Sequence, residues 1–159
     1  MTAHSPERLA QSPVHAEPVL DELALRVQRE PNCGGDTVSE DDALWVGRLR
    51  RIGPAMVVRW GYPGLVESAE LLISELVTNA LRYGADDAIA FKLVLAADAF
   101  VIEVDDGSPG RPQVREAGPD EESGRGMLLV SAVADEWGVS PDGTCTWCVL
   151  KIRQAGSAS

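Results

Sequence analysis

Two polar residues stand one helical turn apart in a run that otherwise reads as core. Glu75 and Asn79 belong to Ser74-Glu75-Leu76-Val77-Thr78-Asn79-Ala80, inside a longer stretch from Gly64 to Gly84. Leu65, Ala69, Leu72, Leu76 and Ala80 recur every three or four residues, and Ile73 and Tyr83 widen the stripe. That period predicts a helix packed on a core and ended by Gly84. A spacing of four puts Glu75 and Asn79 on the same face. The carboxylate could act as a base and the carboxamide oxygen could hold a hard cation. The same spacing also suits a solvated helix face, so this helix alone leaves both readings open.

Two more stations could belong to a site. Asp105-Asp106-Gly107-Ser108-Pro109-Gly110-Arg111-Pro112 follows an apolar run, and no regular element would tolerate it. Gly124-Arg125-Gly126 precedes Met127, Leu128, Val130, Val133 and Ala134, which predicts a helix opening at the glycines. The N–H groups at such an opening attract phosphate. The Gly-x-Gly is not a dinucleotide fingerprint, because the third Gly and the preceding strand are missing. By itself it is equally a helix-opening loop. No Walker A pattern occurs, which excludes a P-loop site.

These stations need elements to position them. Ser39 and Asp42 have capping-box spacing, and Leu44, Trp45, Leu49 and Ile52 follow at helical intervals. Gly53-Pro54 should break or kink that helix, with Pro54 opening a second segment through Met56, Val57 and Trp60. Gly61-Tyr62-Pro63-Gly64 is a turn into the Glu75 helix. Ala88 to Ala96 alternates as a strand, Ala97-Asp98 turns, and Phe100 to Asp105 forms the next strand of a hairpin. Arg111 to Ser123 is a polar, acidic loop. After the Gly126 helix come a short strand at Trp137–Ser140, a turn at Pro141-Asp142-Gly143 and a last strand at Thr144–Ile152. Sequential hairpins without strand-helix-strand units predict an α+β sandwich. The expected domain spans 37–153, between an N-terminal extension (1–36) and a short C-terminal tail (154–159). Pro6, Pro13, Pro18 and Pro31 mark the extension as tail and linker, with a short helix predicted over Pro18–Arg29.

Composition limits the partners. The chain has 159 residues, 45% of them hydrophobic, enough for one domain with a core. A net charge of -11 repels phosphate backbones, which argues against binding nucleic acid or an anionic membrane. Arg48, Arg50 and Arg51 form a short basic run that suits a solvated helix face. No apolar run approaches the roughly 20 residues of a bilayer span. No secretory signal is visible, so a cytoplasmic protein is expected. The three Cys do not suggest a disulfide framework. Cys145 and Cys148 fall three apart on a strand, hence on opposite faces, which suits ordinary half-buried residues better than a metal or redox pair.

Taken together and in order, the three stations resemble the Bergerat-type (GHKL) ATP-binding domain shared by DNA gyrase, histidine kinases and bacterial anti-sigma-factor serine kinases. Glu75-Leu-Val-Thr-Asn79-Ala80 resembles its N box. Asp106-Gly-Ser108-Pro109-x-x-Pro112 resembles the G1 box in the form found in stand-alone anti-sigma regulators, and Glu122-Ser-Gly124-Arg-Gly126-Met-Leu-Leu-Val130 resembles the G2 box. The resemblance covers about Ser39 to Ile152. It implies a two-layer histidine-kinase-like ATPase fold, with a mixed, mostly antiparallel sheet covered on one face by helices. It implies ATP and Mg²⁺ as cofactors. Asn79 would ligate the metal, Glu75 would be the general base and Asp106 would accept from the adenine amino group. Gly107, Ser108, Gly124, Arg125, Gly126 and Met127 would line the nucleotide site, and the acidic loop would be a short ATP lid.

The resemblance further implies a serine/threonine kinase of the anti-sigma type, acting on a Ser of a partner antagonist protein. Expected partners are that antagonist, a sigma factor and a second copy of the chain. A different class stays open: a module that binds ATP without catalysis and regulates transcription by sequestering a partner. The chain departs from the family pattern in three respects. Ser108 stands where a Gly is common, and Asp105 competes with Asp106 for the adenine role, although the Ser-Pro and Pro112 spacing favours Asp106. The phosphate-side cation is also unassigned, with Arg125 and Arg82 as candidates. The only histidines, His4 and His15, lie in the extension, so autophosphorylation on His is not expected.

Overall fold

The computed structural model of the chain describes residues 18–28, 40–83, 88–107 and 122–152. Five strands form one sheet in the order β1-β2-β3-β5-β4. They are β1 (Val19–Gln28), β2 (Ala88–Ala96), β3 (Ala99–Asp105), β4 (Glu136–Val139) and β5 (Cys145–Lys151). All four pairings are antiparallel: β2–β3 and β4–β5 are hairpins, while β1–β2 and β3–β5 join strands distant in the chain. Among the described residues three helices accompany them: α1 (Glu40–Arg59), α2 (Val66–Tyr83) and α3 (Glu122–Val133). A 3₁₀ turn, Pro63–Leu65, feeds α2. The α+β architecture expected from the sequence is the one observed.

Strand alternation decides which residues meet the helices. Phe91, Leu93 and Leu95 of β2, Phe100, Ile102 and Val104 of β3, and Cys148 and Leu150 of β5 enter the main core. Ala69, Leu72, Ile73, Leu76, Val77, Ala80 and Leu81 of α2 pack down onto them. The opposite sheet face carries a smaller apolar cluster of Val94, Ala96, Val101 and Val149. Two carboxylates, Glu103 and Asp105, are buried in phase with Val101.

Two local expectations are corrected. The segment Pro18–Arg29, read as a short helix, is strand β1, antiparallel to β2 with Leu23, Leu25 and Val27 opposite Leu93, Phe91 and Ile89. Those three alternate with exposed Ala24, Arg26 and Gln28, a period of two that the helical reading passed over. Trp60 at the end of α1 donates its indole N–H to the Asp21 carboxylate at 3.0 Å and meets Phe100 edge-on, which ties β1 to the core. The second correction concerns Gly53-Pro54. α1 runs through both residues as one helix. Pro54 leaves the Arg50 carbonyl without its intrahelical donor, but Arg50 is exposed and water can supply one. Gly53 is buried where a Cβ would run into the Ile73 side chain, so its small size lets α1 and α2 come close. The capping residue Ser39, the helix-ending Gly84 and the acidic loop lie outside the described residues, apart from the end of the loop at Glu122.

Candidate functional site

Helix α2 has a second stripe beside its buried one. Glu75, Thr78, Asn79 and Arg82 are all half-buried, at intervals that keep them along one edge of the helix. The buried stripe anchors α2 on the sheet, and that anchoring fixes the direction in which this polar edge points.

Helix α3 closes on that edge. It begins at Glu122, two residues before the glycines expected to open it. The N–H groups of its first three residues, through Gly124, therefore lack intrahelical acceptors. Gly124 and Arg125 fall in that first turn. Gly126 lies just beyond it and is buried. A Cβ at Gly126 would stand 2.6 Å from the Glu75 Oε2. Two of the three stations thus meet directly, because the bare Cα of Gly126 makes room for the Glu75 carboxylate. Met127 turns its side chain into the main core, where it is 1% exposed, and this seats α3 against α2.

The third station lies at the end of β3. Asp105 is the last strand residue, opposite Cys145, and its Oδ1 accepts the Gly107 N–H at 3.1 Å. Asp105 belongs to the far face of the sheet, with Val101 and Glu103. The Asp106 N–H donates to the Thr144 carbonyl at 3.0 Å, so the ladder with the β5 side extends one residue past β3. Alternation then carries Asp106, which is half-buried, to the helix-covered side with Phe100, Ile102 and Val104. Gly107 turns the chain away at φ 72°. Ser108 lies outside the described residues.

Thr144 and Asp142 were not singled out in the sequence, yet they fix this end of the sheet. A single oxygen of Asp142 accepts from the Ser140 hydroxyl at 2.5 Å, the Thr144 hydroxyl at 2.8 Å and the Thr144 N–H at 3.1 Å. The Ser140 hydroxyl in turn accepts from the Cys145 N–H at 3.1 Å. This knot holds Thr144, and Thr144 holds Asp106. The available signal was Pro141-Asp142-Gly143, since an Asp in a turn often bonds the backbone two residues on.

Cys145 and Cys148 lie on opposite faces of β5, as expected. Burial pushes the Cys145 thiol up, and the Glu103 and Asp105 carboxylates push it further; burial alone accounts for the rise at Cys148. Neither is a ready thiolate. Among the described residues no cluster of His, Cys, Asp and Glu could hold a metal by itself. A cation at Asn79 would therefore need oxygens from a ligand as well, as Mg²⁺ with a bound phosphate does. No described helix is long and apolar enough to cross a membrane.

A family model described as a histidine kinase-like ATPase domain matches residues 46–150, more than half of the chain. The match takes in α2, the end of β3, α3 and the Asp142 turn. A comparison with curated proteins gave no match.

Proposed function

We propose that this chain, which belongs to the histidine kinase-like ATPase domain family, is an ATP-dependent regulator that transfers the γ-phosphoryl group to a Ser of a partner protein, in the manner of the anti-sigma serine/threonine kinases. The observation that carries the reading is the contact between Glu75 and Gly126, which brings a carboxylate to the mouth of a helix whose first N–H groups have no intrahelical acceptor. A module that only bound nucleotide would gain nothing from a base held there.

The residues present fit the cofactors. Asn79 offers a half-buried oxygen donor beside Glu75, and the first turn of α3 offers N–H groups to phosphate. Mg²⁺, when bound, neutralises charge on the phosphates. Glu75 would take the proton of the attacking hydroxyl. Asp106, on the helix-covered side of the sheet, would accept from the adenine amino group, whereas Asp105 faces away. Gly107, Ser108, Gly124, Arg125 and Gly126 would complete the nucleotide's surroundings, with Met127, whose side chain is in the core, offering its backbone alone. An antagonist protein, a sigma factor and a cytoplasmic setting belong to this proposal.

The deciding experiment is an assay with γ-labelled ATP against proteins that co-purify with the chain. Label appearing on a Ser of one of them supports the kinase. Tight ATP binding with no transfer to any of them favours sequestration instead. Two further outcomes are expected. Asp106→Asn should relax the preference for ATP over GTP while Asp105→Asn leaves it intact, because a base without the amino group has nothing to donate to the Asp106 carboxylate; competition titrations read this directly. Gly126→Ala should keep or raise stability, since Ala gains about 1 kcal/mol over Gly inside a helix. Its Cβ should displace the Glu75 carboxylate and depress phosphoryl transfer. Thermal melts and the transfer assay together test that opposition.

A further inference from the structure

Asp106 stands where the sheet runs out. The β3–β5 ladder ends at the Asp105↔Cys145 pair, and one further bond, from the Asp106 N–H to the Thr144 carbonyl at 3.0 Å, carries it past that pair. Gly107 then turns the chain away at φ 72°. The end of a ladder is where strands open most readily. The direction of the Asp106 side chain therefore depends on how firmly Thr144 is held, and Asp142 holds it. One Asp142 oxygen takes the Thr144 N–H, the Thr144 hydroxyl and the Ser140 hydroxyl. Ser140 and Thr144 are both buried. The Ser140 hydroxyl accepts the Cys145 N–H, and the Ser140 N–H donates to the Cys145 carbonyl at 2.8 Å, which closes the hairpin tip.

We propose that Asp142 is a positioning residue for adenine recognition, acting on Asp106 through the Thr144 backbone. The proposal rests on the reading of Asp106 as the acceptor for the adenine amino group. A hydrogen bond weakens steeply as donor and acceptor lose alignment. A base told apart by one amino–carboxylate bond is told apart well when that carboxylate is set in place beforehand. An acceptor that had to be ordered on binding would give back part of the gain. The chemistry of the knot suits this task. An ionised carboxylate can only accept, so both hydroxyls must point their protons at Asp142. That leaves the Ser140 oxygen turned toward the Cys145 N–H and fixes the sense of every bond at the tip. Bonds to a charged acceptor are roughly twice as strong as neutral ones, which stiffens the β5 side against fraying. The last bond in this series is the one made by Asp106 itself.

Two nucleotides test it: ATP, and the same triphosphate with hydrogen in place of the 6-amino group. Each is titrated calorimetrically, with Mg²⁺, into the full chain. Wild type should prefer ATP. Asp142→Ala should bind ATP about tenfold more weakly, the scale of one hydrogen bond to a charged group, and hold the amino-free nucleotide nearly as before. Asp142→Asn still presents an oxygen to the same donors and should recover most of the preference. Thr144→Val keeps the carbonyl but loses the hydroxyl, so it should fall between wild type and Asp142→Ala; it also carries the test if Asp142→Ala does not fold, which circular dichroism reports. Trp60→Phe, which breaks the bond to Asp21 on β1, is the control: its melting temperature should fall while the preference for ATP stays. Asp142→Ala or Thr144→Val with the full wild-type preference overturns the proposal, as does a control that loses the preference equally. A wild type that binds both nucleotides alike overturns the Asp106 reading, and the proposal with it, so the two failures are told apart.

Discussion

Asn79→Ala is expected to lose Mg²⁺-dependent ATP binding, by about a hundredfold or more, which corresponds to about 2.7 kcal/mol. The loss should come from the site and not from the fold. Asn79 is half-buried on the polar edge of α2, while Leu76, Val77 and Ala80 carry the packing of that turn. Removing the carboxamide takes away one oxygen donor in a place where the protein itself offers few. Calorimetric titration with and without Mg²⁺ separates the effects. Weak binding without the metal should be similar in both proteins, and the metal-dependent gain should vanish in the variant. A variant that binds Mg-ATP like the wild type would remove Asn79 from the site.

Glu75→Gln should have the other large effect, on turnover instead of binding. The amide keeps the shape that fits beside Gly126 but cannot take a proton at neutral pH. General-base loss typically slows a reaction by about 10²–10⁴-fold. Transfer measured with saturating γ-labelled ATP should fall by that order, while nucleotide affinity changes little. Equal transfer by the two proteins would mean that Glu75 only shapes the pocket. The sequestration reading would then gain ground, because its one sequence-level objection is the presence of this base.

The helix-and-hairpin framework was legible because its periods are clean. Leu72, Leu76 and Ala80 mark α2 from the sequence, and the alternation in Ala88–Ala96 marks β2. β1 was missed because Leu20 puts an apolar residue out of phase with Leu23, Leu25 and Val27 while Asp21 puts a polar one in phase, and Leu20 proved exposed. Its strand character is set by a partner far along the chain, which local spacing does not reveal. Pro54 misled for a related reason. A proline breaks a helix only when the lost bond and the displaced carbonyl matter, and at Arg50 the carbonyl has water available. At the candidate site, residue types gave Glu75, Asn79 and the glycines. They could not show that Gly126 faces Glu75, or that Thr144 holds the backbone of Asp106, since both depend on how α3 and β5 pack.

The attachment of β1 also bears on how the chain folds. Its residues pair with partners sixty to seventy-seven positions later, from Gln28↔Ala88 to Val19↔Ala96. Closing so long a loop costs entropy before any contact repays it, so this pairing should come late. The β2–β3 and β4–β5 hairpins can form from near neighbours, but β1 must wait for β2 to be built. Until then both of its edges are open to other chains. Asp21, Glu22 and Arg26 place charges along it during that interval, as gatekeepers do on strands that would otherwise aggregate. Asp21, which ties β1 to Trp60 in the native protein, would thus also guard the nascent strand.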